Sequence, residues 1–307
     1  MKLPSWFENA LHHPQVTDIV LNGFQYAFLD QGQGFEAIPE AKLQPFLQLK
    51  EWVLAQLSTI GKTWDAQFPF IDATLLSDHR IHVVFPPLSH PHPILISLRR
   101  LGTRSFSNRW NQGSFFQLLK QAILEKQTIL ISGATGSGKT TLMNDLISLI
   151  PSHQRVIALE DTPELSPVHP HFLSLQSRPA SPEGKGEVTL RDLLKQILRM
   201  RADRIILGES RGHEVLELLQ ALNTGHLGSL LTIHANSAKD ALKRIELLCL
   251  IAAQGAIPIH AIRELLSLGI QWIAHLNREK DERKIAEVFK IEGNEEDIIF
   301  MRPYKNE

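Results

Sequence analysis

Lys126–Asn144 reads KQTILISGATGSGKTTLMN, and the reading of this stretch decides the fold. Thr128 to Ser132 is a β-branched, apolar run of strand length, and Leu142, Leu146, Ile147 and Ile150 then recur at helical spacing. Between them, Gly133-Ala134-Thr135-Gly136-Ser137-Gly138-Lys139-Thr140 fits G-x-x-x-x-G-K-[ST] at every fixed position, the pattern of a phosphate-binding loop. Each part has a physical reason. Glycines let backbone N–H groups turn inward around phosphate oxygens, and the helix that follows presents its partly positive N-terminus, so the cradle runs on to Thr141. Lys139 supplies a point charge for the terminal phosphates, and the Thr140 hydroxyl is placed to ligate Mg²⁺. Strand, loop and helix together imply a bound nucleoside triphosphate with Mg²⁺.

Working outward, the 307 residues leave room for two domains, and 43% hydrophobic content supports real cores. Thirty-two basic against 33 acidic residues give a net charge of −1, so no global basic field points to nucleic acid. The single cysteine, Cys249, excludes a disulfide or four-cysteine zinc framework and suits a reducing cytoplasm. MKLPSWFENALHHPQ has no apolar core of the kind a signal peptide carries. The most apolar window, Leu247 to Ile259, is short and broken by Gln254, Gly255 and Pro258, so any membrane role is expected to be peripheral.

Ahead of the loop, residues 1–108 read as a smaller N-terminal α+β domain with its linker, and residues 109–307 as the nucleotide-binding domain. Val16 to Leu21 and Tyr26 to Leu29 flank Asn22-Gly23 as a β-hairpin. Leu43, Phe46, Leu47, Leu54 and Leu57 predict a helix ending before Gly61, and Ala73 to Leu76, Arg80 to Phe85 and Ile94 to Leu98 predict strands. His79, His82, His90 and His92 are read as ordinary loop histidines, since they lack helical metal-ligand spacing. Gly102 to Gly113 loses periodicity and reads as a linker, and Ser114 is expected to cap the helix after it.

Beyond the loop, strands at Arg155–Leu159, Leu173–Gln176, Arg204–Leu207 and Ser229–Ile233 alternate with helices capped by Thr189 and Ser237. Gly225 is read as closing the helix before the last of these strands, and Ile270–Leu276 and Lys284–Ile291 as two further strands joined by a charged turn. That alternation predicts an α/β domain with a mainly parallel sheet. Ligand chemistry in such sheets gathers at the C-terminal strand ends. Three of those ends carry polar groups after an apolar run: Glu160-Asp161, Glu209 and His234. Hydrolysis of a terminal phosphate needs a held cation, an oriented water and neutralised charge. Glu160 is the stronger candidate for general base and Glu209 for acting on Mg²⁺ or on the water, although spacing alone leaves the two roles open.

Four motifs then occur in order: the phosphate loop, Ile157-Ala158-Leu159-Glu160-Asp161-Thr162-Pro163-Glu164-Leu165, Ile205-Ile206-Leu207-Gly208-Glu209 with Arg211, and Thr224-Gly225-His226-Leu227-Gly228-Ser229 through His234-Ala235-Asn236. This series resembles the secretion ATPase superfamily, the motors of type II and type IV secretion systems and type IV pili. They would be its Walker A, Asp box, atypical Walker B and His box. Val16–Gly23, Arg80–Val83 and Ile96–Arg100 resemble its N-terminal strands, so the likeness runs over about residues 16 to 250. The single cysteine sets the chain apart from the zinc-bearing type II and pilus-extension members, and NTGHLGSLLTIHANS and GEVTLRDLLKQILRMRADRIILGESRG resemble the type IV secretion traffic and Tad/Flp pilus-assembly branch more closely. Ser210 departs from the small apolar residue, Cys or Leu, usual after the Walker B glutamate.

The resemblance implies a RecA-like P-loop NTPase domain joined to a smaller N-terminal α+β domain. It implies ATP hydrolysis, nucleotide-driven closure of the two domains, and a homo-hexameric ring. The expected location is the cytoplasmic face of the inner membrane, with platform or secretion-channel proteins as partners and no direct nucleic-acid contact. By the same resemblance Glu160 is the base, Glu209 assists Mg²⁺ or water, and His226 and His234 sense the γ-phosphate or couple it to neighbouring subunits. Arg80 and Arg99, with Arg100 behind them, would reach the phosphates from the N-terminal domain. A RecA-like nucleic-acid translocase is the alternative, disfavoured by the neutral charge. An ATP-binding regulator is a third reading, disfavoured by Lys139, Glu160 and Glu209.

Overall fold

The computed structural model describes residues 5–23, 26–31, 34–38, 46–61, 64, 69–75, 79–89, 94–101, 113–181, 184–279, 282–295 and 298–304. The chain divides into two compact units, Met1–Thr103 with Ser181–Lys185, and Arg104–Ala180 with Gly186–Glu307. The expected linker at Gly102–Gly113, apart from Gly113, lies outside the described residues, as do His90 and His92.

The first unit holds α1 (Ser5–His12), β1 (Asp18–Asn22), β2 (Tyr26–Asp30), β3 (Phe35–Ala37), α2 (Phe46–Thr59), β4 (Phe70–Leu75), β5 (His79–Val84) and β6 (Leu95–Arg100). Its six strands are antiparallel in the order β3-β2-β1-β6-β5-β4. Burial alternates along β1, β4, β5 and β6, the mark of a sheet covered on one face only. Ile19, Leu21, Ile81, Val83, Ile96 and Leu98 pack there with Phe7 and Leu11 of α1 and with Trp52, Val53 and Leu57 of α2. The expected hairpin is present, with Asn22 opposite Tyr26 and Gly23 at φ 70°. His79 and His82 lie on β5 and not in a loop.

The second unit holds α3 (Ser114–Leu124), β7 (Ile129–Gly133), α4 (Lys139–Ser148), β8 (Val156–Glu160), β9 (Phe172–Gln176), α5 (Leu190–Ile197), β10 (Arg204–Leu207), α6 (Glu214–Leu222), β11 (Leu230–Ile233), α7 (Ala238–Ala253), α8 (Ile259–Gly269), β12 (Trp272–Glu279), β13 (Glu282–Glu295) and β14 (Ile298–Tyr304). The sheet order is β14-β13-β12-β7-β11-β10-β8-β9, parallel from β12 to β9 and closed at the other side by the antiparallel pair β13 and β14. Every residue of β7, β8, β10 and β11 is buried, because helices cover both faces. Alternate side chains part cleanly. Leu130, Ile157, Leu159, Ile205, Leu207, Leu231 and Ile233 join the core under α5, α6, α7 and α8, while Ile129, Ile131, Val156, Ala158, Ile206 and Leu230 join the one under α3 and α4. Between the phosphate-loop strand β7 and its sequence successor β8 lie β11 and β10. The RecA-like order thus sets the exits of β11, β10 and β8 in a row beside the loop.

The structure refines several sequence expectations. Gly113, not Ser114, is the N-cap of α3, with extended backbone and no side-chain cap bond. Thr189 and Ser237 do cap their helices, Thr189 through a reciprocal capping box with Asp192. Asn223 caps the C-terminus of α6, and Gly225 follows in the turn at φ 122°. The α8 helix, entered through Pro258, and the edge strand β14 were not anticipated. Pro303 inside β14 argues against a central strand but is tolerated at an edge.

Candidate functional site

The phosphate loop leaves β7 at Gly133 and enters α4 at Lys139, with Gly138 as a left-handed N-cap at φ 100°. Gly133 must be glycine: at φ 154°, a Cβ would fall 2.5 Å from Ser137 Oγ and 2.6 Å from the Leu276 carbonyl oxygen. Lys139 is buried, and its Nζ donates to the carbonyl oxygens of Gly133 (3.0 Å) and Ala134 (2.9 Å). Burial lowers its pKa to about 8 against the opposing pull of Glu209 and Glu164.

His234, leaving β11, joins the lysine to the Walker B acid. Its Nδ1 stands 3.2 Å from Lys139 Nζ and its Nε2 3.1 Å from Glu209 Oε1. Both contacts are attractive only if the ammonium donates to Nδ1 and Nε2–H donates to the carboxylate, the neutral tautomer. Burial and the Lys139 charge agree, holding the His234 pKa below the usual histidine value despite Glu209. Glu209 follows β10 and accepts from Arg211 Nη2 at 2.5 Å. Burial pulls its carboxyl upward, but Arg211, His234 and Lys139 outweigh that and hold it ionised below the usual range.

Glu160 ends β8 and is buried, with both oxygens engaged. Oε1 accepts from the backbone N–H of Glu164 (2.8 Å) and Leu165 (2.9 Å), and Oε2 from Ser174 Oγ at 2.5 Å. Burial raises its pKa although these bonds oppose the shift. Its observed work is to fold the Asp-box turn, and that turn carries Glu164 to 3.3 Å from Thr140 Oγ1. Glu164 stands within the Asp-box motif, but the sequence alone assigns it no role. The signal was its place one turn beyond Glu160, which becomes legible only once Glu160 is seen gripping that turn. The Thr140 hydroxyl at the head of α4, with carboxylates on the neighbouring strand exits, fits a hydrated divalent cation held mostly by phosphate oxygens, as Mg²⁺ prefers. Among the described residues no cluster of three or more His, Cys, Asp or Glu could hold a metal unaided.

His226 is not brought to this end of the sheet. It precedes β11, at the edge opposite the phosphate loop, and its Nδ1 lies 3.2 Å from the Ala221 carbonyl oxygen. Roughly 10 Å of strand separates the two ends. A role for it at the phosphates of its own loop is therefore not supported. Ser210 is buried with no partner for its Oγ among the described residues, and its backbone N–H holds Thr232 of β11.

In the first unit Arg80 and Arg99 are direct cross-strand neighbours on the solvated face of the sheet. Each has an acid beside it: Arg80 makes a paired contact with Asp72 (3.0 and 2.6 Å), and Arg99 Nε meets Asp18 at 2.8 Å. Arg100 turns the other way and donates to the carbonyl oxygens of Leu11 and His13 at the end of α1, a structural task.

A RecA-like phosphate-loop domain behind a separate antiparallel domain defines a class, the two-domain P-loop ATPases. The particular family follows from comparison with known proteins. The family model "Type II/IV secretion system protein" matches residues 54–287. The type IV secretion system protein VirB11 of Brucella suis biovar 1 is 30% identical over 300 residues, covering 87% of this chain and 82% of that protein. The crystal structure of the Brucella suis VirB11 ATPase in complex with sulphate aligns with TM-score 0.52 and 28% identity over 92% of both chains. The pilus retraction motor PilT with bound ADP shares the fold, with TM-score 0.64 and 22% identity over 90% of this chain and 78% of that one. The chain belongs to the type II/IV secretion system protein family, and it is a nucleotide-binding secretion ATPase. Among the described residues no helix is long and apolar enough to cross a membrane.

Proposed function

We propose that this chain is the ATP-driven motor subunit of a type IV secretion or pilus machine, working as a homo-hexamer at the cytoplasmic face of a membrane. The observation that carries the chemistry is the line of Lys139, His234, Glu209 and Glu164 at adjoining strand exits. In this reading the loop from Gly133 to Thr141 holds the phosphates, and Thr140 with a carboxylate holds Mg²⁺, which supplies charge neutralisation when bound. Glu164 orients and deprotonates the attacking water, because it is unencumbered by the backbone bonds that occupy Glu160. Glu209, kept anionic by Arg211, and neutral His234 hold Lys139 in register and sense the terminal phosphate. Arg80 and Arg99 bind the phosphates from the first unit, exchanging Asp72 and Asp18 for a more highly charged anion. That exchange favours ATP over ADP in the closed form, which is what lets nucleotide shift a domain equilibrium.

Two purified variants test the division of labour. Glu164→Gln is expected to bind ATP normally and to lose turnover by about a hundredfold or more. Glu160→Gln is expected to lower stability as well as turnover, since it disturbs the turn. Full phosphate release from Glu164→Gln would overturn the assignment and return the role to Glu160 or Glu209.

A further inference from the structure

Arg278 lies near the end of β12, which runs parallel to β7 with Leu276 opposite Gly133. Its half-buried side chain reaches back over the apex of the phosphate loop, where a methyl group placed on Gly136 would lie 3.6 Å from Arg278 Nη1. The residues suited to act on the terminal phosphate stand on strands on the other flank of β7, namely β11, β10 and β8. Arg278 approaches from the opposite, β12 flank.

From this geometry we infer that Arg278 is a nucleotide-binding residue that holds the inner phosphates, the part common to ATP and ADP. The inference rests on the phosphate-loop reading and adds to it a cation on the side away from hydrolysis. A guanidinium gives a planar fork of donors suited to phosphate oxygens. Such a contact binds substrate and product alike, so it sets affinity and leaves the barrier almost untouched.

The test compares Arg278→Ala and the better-packed Arg278→Gln with the unaltered chain, using ADP and a non-hydrolysable ATP analogue as probes. Both variants are expected to raise the Kd of both nucleotides by about tenfold, the worth of one charge-assisted contact, with KM for ATP rising in step and kcat falling less than about threefold. Arg278→Lys is expected to recover part of the affinity. An unchanged ADP Kd in both variants overturns the inference. So does a fall in kcat at unchanged KM, which would place Arg278 on the terminal phosphate. Lys139→Ala separates the two levels: if it also binds ADP like the unaltered chain, the phosphate-loop reading fails and not only the role of Arg278.

Discussion

Lys139 shows how one side chain ties ligand binding to pH. Its pKa of about 8 reflects burial that neighbouring acids only partly offset. Phosphates bind the charged form, so below pH 8 the lysine is ready, and above it binding must first recruit a proton. Affinity for ADP is therefore expected to fall as pH rises from 7.5 to 9.5, by up to about tenfold per pH unit well above the pKa. Calorimetry in buffers of different ionisation enthalpy would show proton uptake on binding above pH 8 and little below pH 7. A flat affinity across that range would mean that the ammonium remains charged throughout. Glu209 does not blur this reading, because its depressed pKa keeps it ionised over the whole window.

At the scale of elements, Arg204 shows what the sequence conceals. It is fully buried at the head of β10, and its three donors meet neutral acceptors: Gln154 Oε1 (2.7 Å), the Gly228 carbonyl oxygen (2.7 Å) and the Ile123 carbonyl oxygen (2.9 Å). One guanidinium thereby clasps the end of α3, the loop after α4 and the turn before β11. Gly228 leaves it room, since a Cβ there would lie 1.6 Å from Arg204 Nη1. Arg204→Met leaves those acceptors buried and unpaired, and is expected to cost about 3–5 kcal/mol of stability, read as a lower urea midpoint at unchanged slope. A loss under about 1 kcal/mol would show that the clasp is dispensable. The apolar runs of β7, β8, β10 and β11 and the caps at Thr189 and Ser237 were legible, because period, propensity and capping chemistry are local signals. Arg204 was not, because its partners lie 24, 50 and 81 residues away. For the same reason Glu160 and Glu209 could be named as the two acids without their roles being settled, Glu164 drew no role at all, and the distance of His226 from the loop needed the direction of β11.

The whole molecule joins two cores of different construction. The second unit is buried on both faces of its sheet and carries the phosphate loop, while the first leaves one face of its sheet to solvent and sets Arg80 beside Arg99 there. Two arginines directly opposite one another repel, and Asp72 and Asp18 relieve that cost. A bound polyphosphate would relieve it further, which is the physical reason for proposing that this arginine pair binds phosphate. The direct measurement is steady-state phosphate release by the purified full chain carrying Arg99→Ala, alongside its ADP affinity. Turnover is expected to fall by about a hundredfold, within the range of arginine effects on phosphoryl transfer, with ADP affinity nearly kept. Turnover equal to that of the unaltered chain would contradict this and confine the chemistry to the phosphate-loop unit alone.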